Sequence, residues 1–220
     1  ALLRWEHPVA GRISSPLMVK LAEEESFLDE LGLYIIKEAC KDAQKLQKEG
    51  TPLSISVNIS PKQLESAVFV REVRRILQEV DLHDIQLILE VTERSLLSTS
   101  GRILERIREL KQLGIQMSMD DFGMGHSSMM YLQENAFDEV KLDGSLVRQI
   151  LENERSRDIV RGITRLAASM QFHVVAEFVE TREQMELLKA LHCDIYQGYY
   201  YGKPCSCDEF IIKYLKQEPR

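Results

Sequence analysis

From residue 53 to residue 200 the chain keeps switching between two hydrophobic periods, two residues in one stretch and 3.6 in the next. LSISVNIS (53–60) is the clearest case: Leu53, Ile55, Val57 and Ile59 share one face, and Ser54, Ser56 and Asn58 the other. Ser60 as N-cap and Pro61 at the first helical position then open a helix. FVREVRRILQEV (69–80) leads to QLILEV (86–91), and GRILERIRELKQLG (101–114) to IQMSMD (115–120). HSSMMYLQE (126–134) leads to DEVKLD (138–143), and ERSRDIVRGITRLAASM (154–170) to FHVVAE (172–177). Thr181 with Gln184 reads as a capping box for TREQMELLKALH, which precedes a last short strand, CDIYQGYY (193–200); Ser206 with Glu209 caps the final helix. Amphipathic helices between strands require parallel pairing through crossovers, so the class is α/β.

Counting ALLRW as a strand gives seven, one short of the eight that close a β/α barrel of about 250 residues. An unclosed barrel would expose a parallel edge, which proteins avoid. The chain also opens on Ala1, Leu2 and Leu3 with no turn or cap before them. The expectation is a single domain over 1–220 whose N-terminal strand lies upstream, with no Pro/Gly/Ser linker to divide it.

Composition narrows the function. With 44% hydrophobic and 29% charged residues the chain is not a disordered one. A net charge of −7 with no basic tract speaks against a DNA or RNA polymer as partner, and an anionic substrate would need a local cation. No apolar run reaches the roughly 20 residues of a membrane helix, and no signal peptide opens the chain. The expectation is a cytoplasmic domain, which leaves room for a membrane-anchored parent. Cys40, Cys193, Cys205 and Cys207 form no C-x-x-C pair and read as free thiols.

Polar residues collect near the C-terminal ends of the strands: Asn58, Glu90, Asp120 with Asp121, Lys141 with Asp143, Glu177, and Gln197. Any one of them reads most simply as a turn or cap residue. Their recurrence over six strands points to a site on the face where β/α barrels carry their active sites. Buried unpaired carboxylates are costly, and Lys141 alone cannot offset so many. An all-oxygen set suits Mg²⁺ or Mn²⁺ rather than zinc. Asp120 and Asp121 can divide between two ions, an arrangement suited to hydrolysis of a phosphate ester.

LLRW, SVNIS, LEVTER, DDFGMGHSS, KLDGS, VVAEFVE and QGYYYGKP, in this order and spacing, resemble the EAL domain, a bacterial phosphodiesterase that opens cyclic di-GMP to linear pGpG. The resemblance runs from the first residue to about Pro204. It implies a modified TIM-like β/α barrel with one reversed strand, which agrees with the count if that strand is the missing one. It further implies that Asn58, Glu90 and Asp120 are metal ligands, and that Asp121 and Glu177 help hold a second ion. Glu177 is also implied as general base, with Lys141 beside the attacking water and Glu93 anchoring the loop 122–128. Arg4, Asp143, Glu180 and Gln197 fall at positions of substrate or pocket support. The family's signature glutamate would stand immediately before Ala1. A homodimer, and an upstream sensor or nucleotide-cyclase-like domain in a longer multidomain parent, are implied in the same way.

The chain departs from the family pattern at Met124 and His126, where Thr and Tyr are usual, at Phe178 in place of Gly, and at Gly144, where Arg is common. None of these is a metal ligand. A receptor that binds cyclic di-GMP without cutting it, or a protein-interaction module, would be expected to have lost ligands or pocket residues. The DFG tripeptide of protein kinases occurs here without the Gly-rich or H-R-D loops that reading needs. The five histidines lack metal spacing; Met117, Met119, Met129 and Met130 read as barrel and helix core; and Tyr199, Tyr200 and Tyr201 read as packing residues or a stacking surface for guanine.

Overall fold

The computed structural model describes residues 1–47, 53–80, 82, 85–96, 102–123 and 129–215. His83, Met124, His126 and the loop segment 124–128 lie outside the described residues. The elements are β1 (Trp5–His7), β2 (Gly11–Ile13), α1 (Ser15–Glu24), α2 (Leu28–Gln47), β3 (Leu53–Asn58), α3 (Pro61–Glu65), α4 (Ala67–Glu79) and β4 (Ile85–Thr92). There follow α5 (Glu93–Leu96), α6 (Ile103–Gln112), β5 (Gln116–Phe122), α7 (Met129–Gln133), β6 (Glu139–Leu142) and α8 (Gly144–Arg148). The chain continues with α9 (Glu154–Met170), β7 (His173–Ala176), α10 (Arg182–Ala190), β8 (Ile195–Tyr196) and α11 (Cys207–Phe210), which runs on as a π turn over Ile211–Leu215.

β3 to β8 pair in sequence order as one six-stranded sheet, and every pair is parallel. This is the α/β arrangement the alternating periods predict. The crossovers run through helices, and the three longest of these bury an apolar stripe in the core. Phe69, Val70, Val73 and Ile76 of α4, Ile103, Ile107 and Leu110 of α6, and Val160, Ile163 and Ala167 of α9 are all buried. Met117 and Met119 join this core, but Met129 and Met130 at the start of α7 are about half exposed (47% and 53%), which corrects the expectation for that pair. Both lie in the first turn of a five-residue helix whose buried positions are Tyr131 and Leu132.

Local signals start the helices as read. Ser60 caps α3 with Gln63 completing a capping box, and Thr181–Gln184 and Ser206–Glu209 form the other two. All four cysteines are free thiols, and among the described residues no helix is long and apolar enough to cross a membrane.

The first residues fold differently from the expectation. ALLRW does not join the sheet as a seventh strand; β1 begins only at Trp5 and pairs antiparallel with β2, Trp5 opposite Ile13. Pro8, which has no N–H to donate, and Gly11 at φ 69° turn the chain back between them. The Ala1 nitrogen donates to the Ser56 carbonyl, which brings the start of the chain beside β3.

Candidate active site

Parallel pairing brings the C-terminal ends of all six strands to one end of the sheet, and the register decides which polar residues meet there. Asn58 stands level with Glu90, and Glu90 with Ser118. Lys141 at the next level, on β6, reaches back across the sheet. Its ammonium lies 2.8 Å from Glu177 Oε1, 3.1 Å from Glu90 Oε2 and 3.8 Å from Asp120 Oδ1. The lysine is 4% exposed and Glu90 6%. Four strand ends thus supply three carboxylates and one ammonium, an excess of two negative charges within the cluster.

The electrostatics follow from that count. Burial alone would pull the Lys141 pKa down, but Glu90, Glu177 and Asp120 more than offset it, and the lysine stays protonated well above its ordinary range. Burial pushes the carboxyls of Asp120 and Glu177 up, with Lys141 opposing in both cases. The pocket therefore resists holding all its carboxylates ionised on one cation.

Asp120 and Asp121, adjacent in sequence, form the two-residue side of a β-bulge. β5 pairs with β6 through Met119–Val140 and again through Phe122–Leu142, so Asp120 and Asp121 together stand opposite Lys141. Asp121 takes the extra position at φ 56° and is exposed, while its N–H donates to Asp120 Oδ1 at 2.9 Å. One carboxylate faces the lysine and the other is free to face elsewhere, which is how the chain tolerates two like charges side by side.

The remaining predicted residues fall into two groups. Glu93, buried at the start of α5, accepts from the Gly123 N–H at 3.2 Å and so holds the start of the loop that follows β5. Asp143 caps α8, accepting from the Ser145 N–H at 2.8 Å and from its hydroxyl. Gln197 is tied by its backbone, its N–H to the Ala176 carbonyl (2.8 Å) and its carbonyl from the Val179 N–H (3.1 Å), with its side chain exposed. Glu180 is exposed, and its N–H donates to Gln184 Oε1. Arg4 is exposed and donates to the adjacent Leu3 carbonyl, so it does not join the carboxylate–lysine cluster. His7 accepts from the N–H groups of Val9 and Ala10, and His173 and His192 are exposed, with Asp194 3.9 Å from His173. Tyr199, Tyr200 and Tyr201 are exposed, with Lys203 over the Tyr199 ring.

One buried acid escapes the sequence reading. Glu139 is 7% exposed and lies two residues before Lys141, on the same side of β6 and level with Ser118. Burial pushes its carboxyl up, opposed mainly by Ser118. Strand alternation through DEVKLD is the signal that places it inward.

The donor set fits a hard divalent cation in chemistry, being all oxygen and in excess of positive charge. Among the described residues, however, no three acidic, His or Cys side chains close on one point as a formed ligand set; their oxygens meet the Lys141 ammonium instead.

The fold and site together are those of an α/β domain with a lysine-centred carboxylate cluster at the strand ends of a parallel sheet. The chain belongs to the EAL domain family, whose model matches residues 1–204. It is 40% identical over 212 residues to an uncharacterized signaling protein of Caulobacter vibrioides, covering 96% of this chain and 26% of that protein. It is 34% identical over 218 residues to the cyclic di-GMP phosphodiesterase NbdA of Pseudomonas aeruginosa, covering 97% of this chain and 28% of that protein. The chain thus spans little more than a quarter of the length of these relatives. Among solved structures it superposes on the PaMucR phosphodiesterase in complex with c-di-GMP with a TM-score of 0.83, at 33% identity, covering 95% of this chain and 85% of that one.

Proposed function

We propose that this domain hydrolyses cyclic di-GMP to linear pGpG, by attack of water on one of the two phosphodiester bonds, in the presence of Mg²⁺ or Mn²⁺. One observation carries the reading: the buried Lys141 ammonium gathers Glu90 of β4, Asp120 of β5 and Glu177, the residue after β7, at the strand ends of an EAL domain. Relatives named cyclic di-GMP phosphodiesterases, and the neighbour with c-di-GMP bound, support the substrate.

In this reading Asn58, Glu90, Asp120, Asp121 and Glu177 would hold two cations. Such ions, when bound, lower the pKa of water and polarise a phosphoryl oxygen. Glu177 receives the proton of the attacking water, a role helped by a carboxyl that burial has raised toward working pH. Lys141, kept protonated by its neighbours, orients Glu177 and offers positive charge to the phosphate. Glu93 fixes the loop start beside Asp120 and Asp121 through Gly123. The much greater length of the relatives supports a regulatory domain beside this one in a longer signalling protein, and self-association as a dimer belongs to the same reading.

The test is conversion of cyclic di-GMP to pGpG by the full-length protein with Mg²⁺ or Mn²⁺, against the Glu177→Gln variant and a chelator control. Turnover that both abolish is the expected result. Tight binding without turnover would make the domain a receptor, and neither binding nor turnover would leave an interaction module.

A further inference from the structure

Phe178 follows Glu177 and sits at φ 56°, the only apolar side chain among the described non-glycine residues with positive φ. A bulky residue is unfavourable in this region, and strain of this kind clusters at functional sites. The backbone forces the conformation from both sides. Ala176 is fixed by its pairing with Leu142 and by accepting from the Gln197 N–H at 2.8 Å. Val179 is fixed by donating to the Gln197 carbonyl at 3.1 Å and accepting from the Tyr200 N–H at 3.0 Å. Gly198 lies so close to Val179 that a Cβ there would overlap the Val179 backbone. Only Glu177 and Phe178 span the two anchors, so the Phe178 dihedrals set where the Glu177 side chain starts.

The Phe178 ring is itself seated. Its Cδ2–Cε2 edge occupies the space in which a side chain at position 144 would begin, and glycine is the residue that leaves this space open. Arg148, the last residue of α8, lays its guanidinium over the ring, 4.2 Å from the centroid. Gly144 opens the same helix directly after Asp143, so the wedge joins the end of β6, which carries Lys141, to the end of β7, which precedes Glu177.

We propose that Phe178, 42% exposed, is a positioning residue for Glu177, its ring edge seated on Gly144 and one face against Arg148, so that the ring couples α8 to the turn holding the Glu177 carboxylate against Lys141. The inference rests on the reading of Glu177 as the proton acceptor in phosphodiester hydrolysis. A larger residue at 144 unseats the ring and, through the short span between the anchors, moves Glu177 away from its 2.8 Å contact with Lys141; glycine at 178 adopts this φ without strain and breaks that coupling.

The experiment compares Gly144→Ala, Phe178→Gly and the double variant with the wild-type full-length protein, in crystal structures and in cyclic di-GMP turnover. Gly144→Ala is expected to lengthen the Lys141–Glu177 contact and to lower kcat by about 10- to 100-fold with KM changed less than about twofold, because small misplacements of a reacting group act on kcat. Adding Phe178→Gly should remove the clash, so that the double variant matches Phe178→Gly alone. An unmoved Glu177 in Gly144→Ala, or a fall in melting temperature with kcat intact, would overturn the proposal and leave the ring a packing element. If the wild-type protein shows no turnover, the hydrolase reading fails on its own, and the Lys141–Glu177 distance in the variants still decides whether Phe178 positions Glu177.

Discussion

Lys141 and Glu177 lie closer together than any other charged pair of the cluster, 2.8 Å between Nζ and Oε1, although they come from adjacent strand ends and not from one turn. Their contact joins β6 to the residue after β7 at the height where the sheet's carboxylates converge. Glu177→Gln keeps the shape of that contact but cannot accept a proton. We expect it to lower kcat by about 100-fold or more, with binding of cyclic di-GMP little changed. Hydrolysis at the wild-type rate would remove Glu177 from the mechanism.

Lys141 is also the cluster's internal counter-ion. Lys141→Met should destabilise the protein by about 3 kcal/mol in the absence of divalent cations, since three largely buried carboxylates lose their partner. Urea unfolding in a chelating buffer measures this, and a change within about 0.5 kcal/mol, the range of an ordinary surface substitution, would contradict the account.

Divalent cations give a readout that needs no substrate. Mg²⁺ or Mn²⁺ at about 100 times its Kd should stabilise the folded protein by about 2.7 kcal/mol through mass action. Glu90→Gln and Asp120→Asn should each shrink the gain. A melting temperature indifferent to both ions would count against a metal site here.

Glu139 contributes to the pH dependence of stability in the same direction as Asp120 and Glu177, and away from the Lys141 contacts. Its carboxyl is raised in the folded state, mainly by burial, above the ordinary value of 4.5. The folded protein therefore holds that proton more tightly than the unfolded chain, and stability falls as pH rises through the folded-state pKa. Glu139→Gln removes this cost. The variant should melt above wild type at neutral pH, with the gap closing as pH falls toward 4.5. A gap that widens on acidification would mean that Glu139 is stabilised as a carboxylate.

Asp143 has a testable local duty. Asp143→Ala should cost about 1 kcal/mol as a lost N-cap of α8, and Asp143→Ser, which can still accept from the Ser145 N–H, should recover most of it. If Asp143→Ser keeps the stability and loses substrate affinity, the carboxylate contacts substrate as well.

Much of this was legible in the sequence because it depends on short-range chemistry. The period-two strands, the period-3.6 helices and the capping boxes each need only a few consecutive residues, and Thr181 with Gln184 meets both of its hydrogen bonds as read. The clustering of Glu90, Asp120, Lys141 and Glu177 was legible because a parallel sheet brings like ends of its strands together. What escaped depends on partners distant in sequence. ALLRW has the composition of a strand, but Trp5 finds Ile13 across a tight turn instead of a place in the sheet. Glu139 reads as an ordinary acid beside Asp138 until the pairing of β6 turns it inward. The seat of Phe178 on Gly144 joins residues 34 positions apart, and only the lateral placing of β6 and β7 brings them together.

The bulge in β5 sets what kinds of change this chain can accept. Because Asp121 is the supernumerary residue between Met119–Val140 and Phe122–Leu142, the strand can absorb its loss without shifting either flanking pair. Losing one residue at 120–121 would leave Met119 opposite Val140 and Phe122 opposite Leu142 with a single aspartate opposite Lys141, so the pairing would become regular and the second carboxylate would vanish together with the kink that sets it apart from the first.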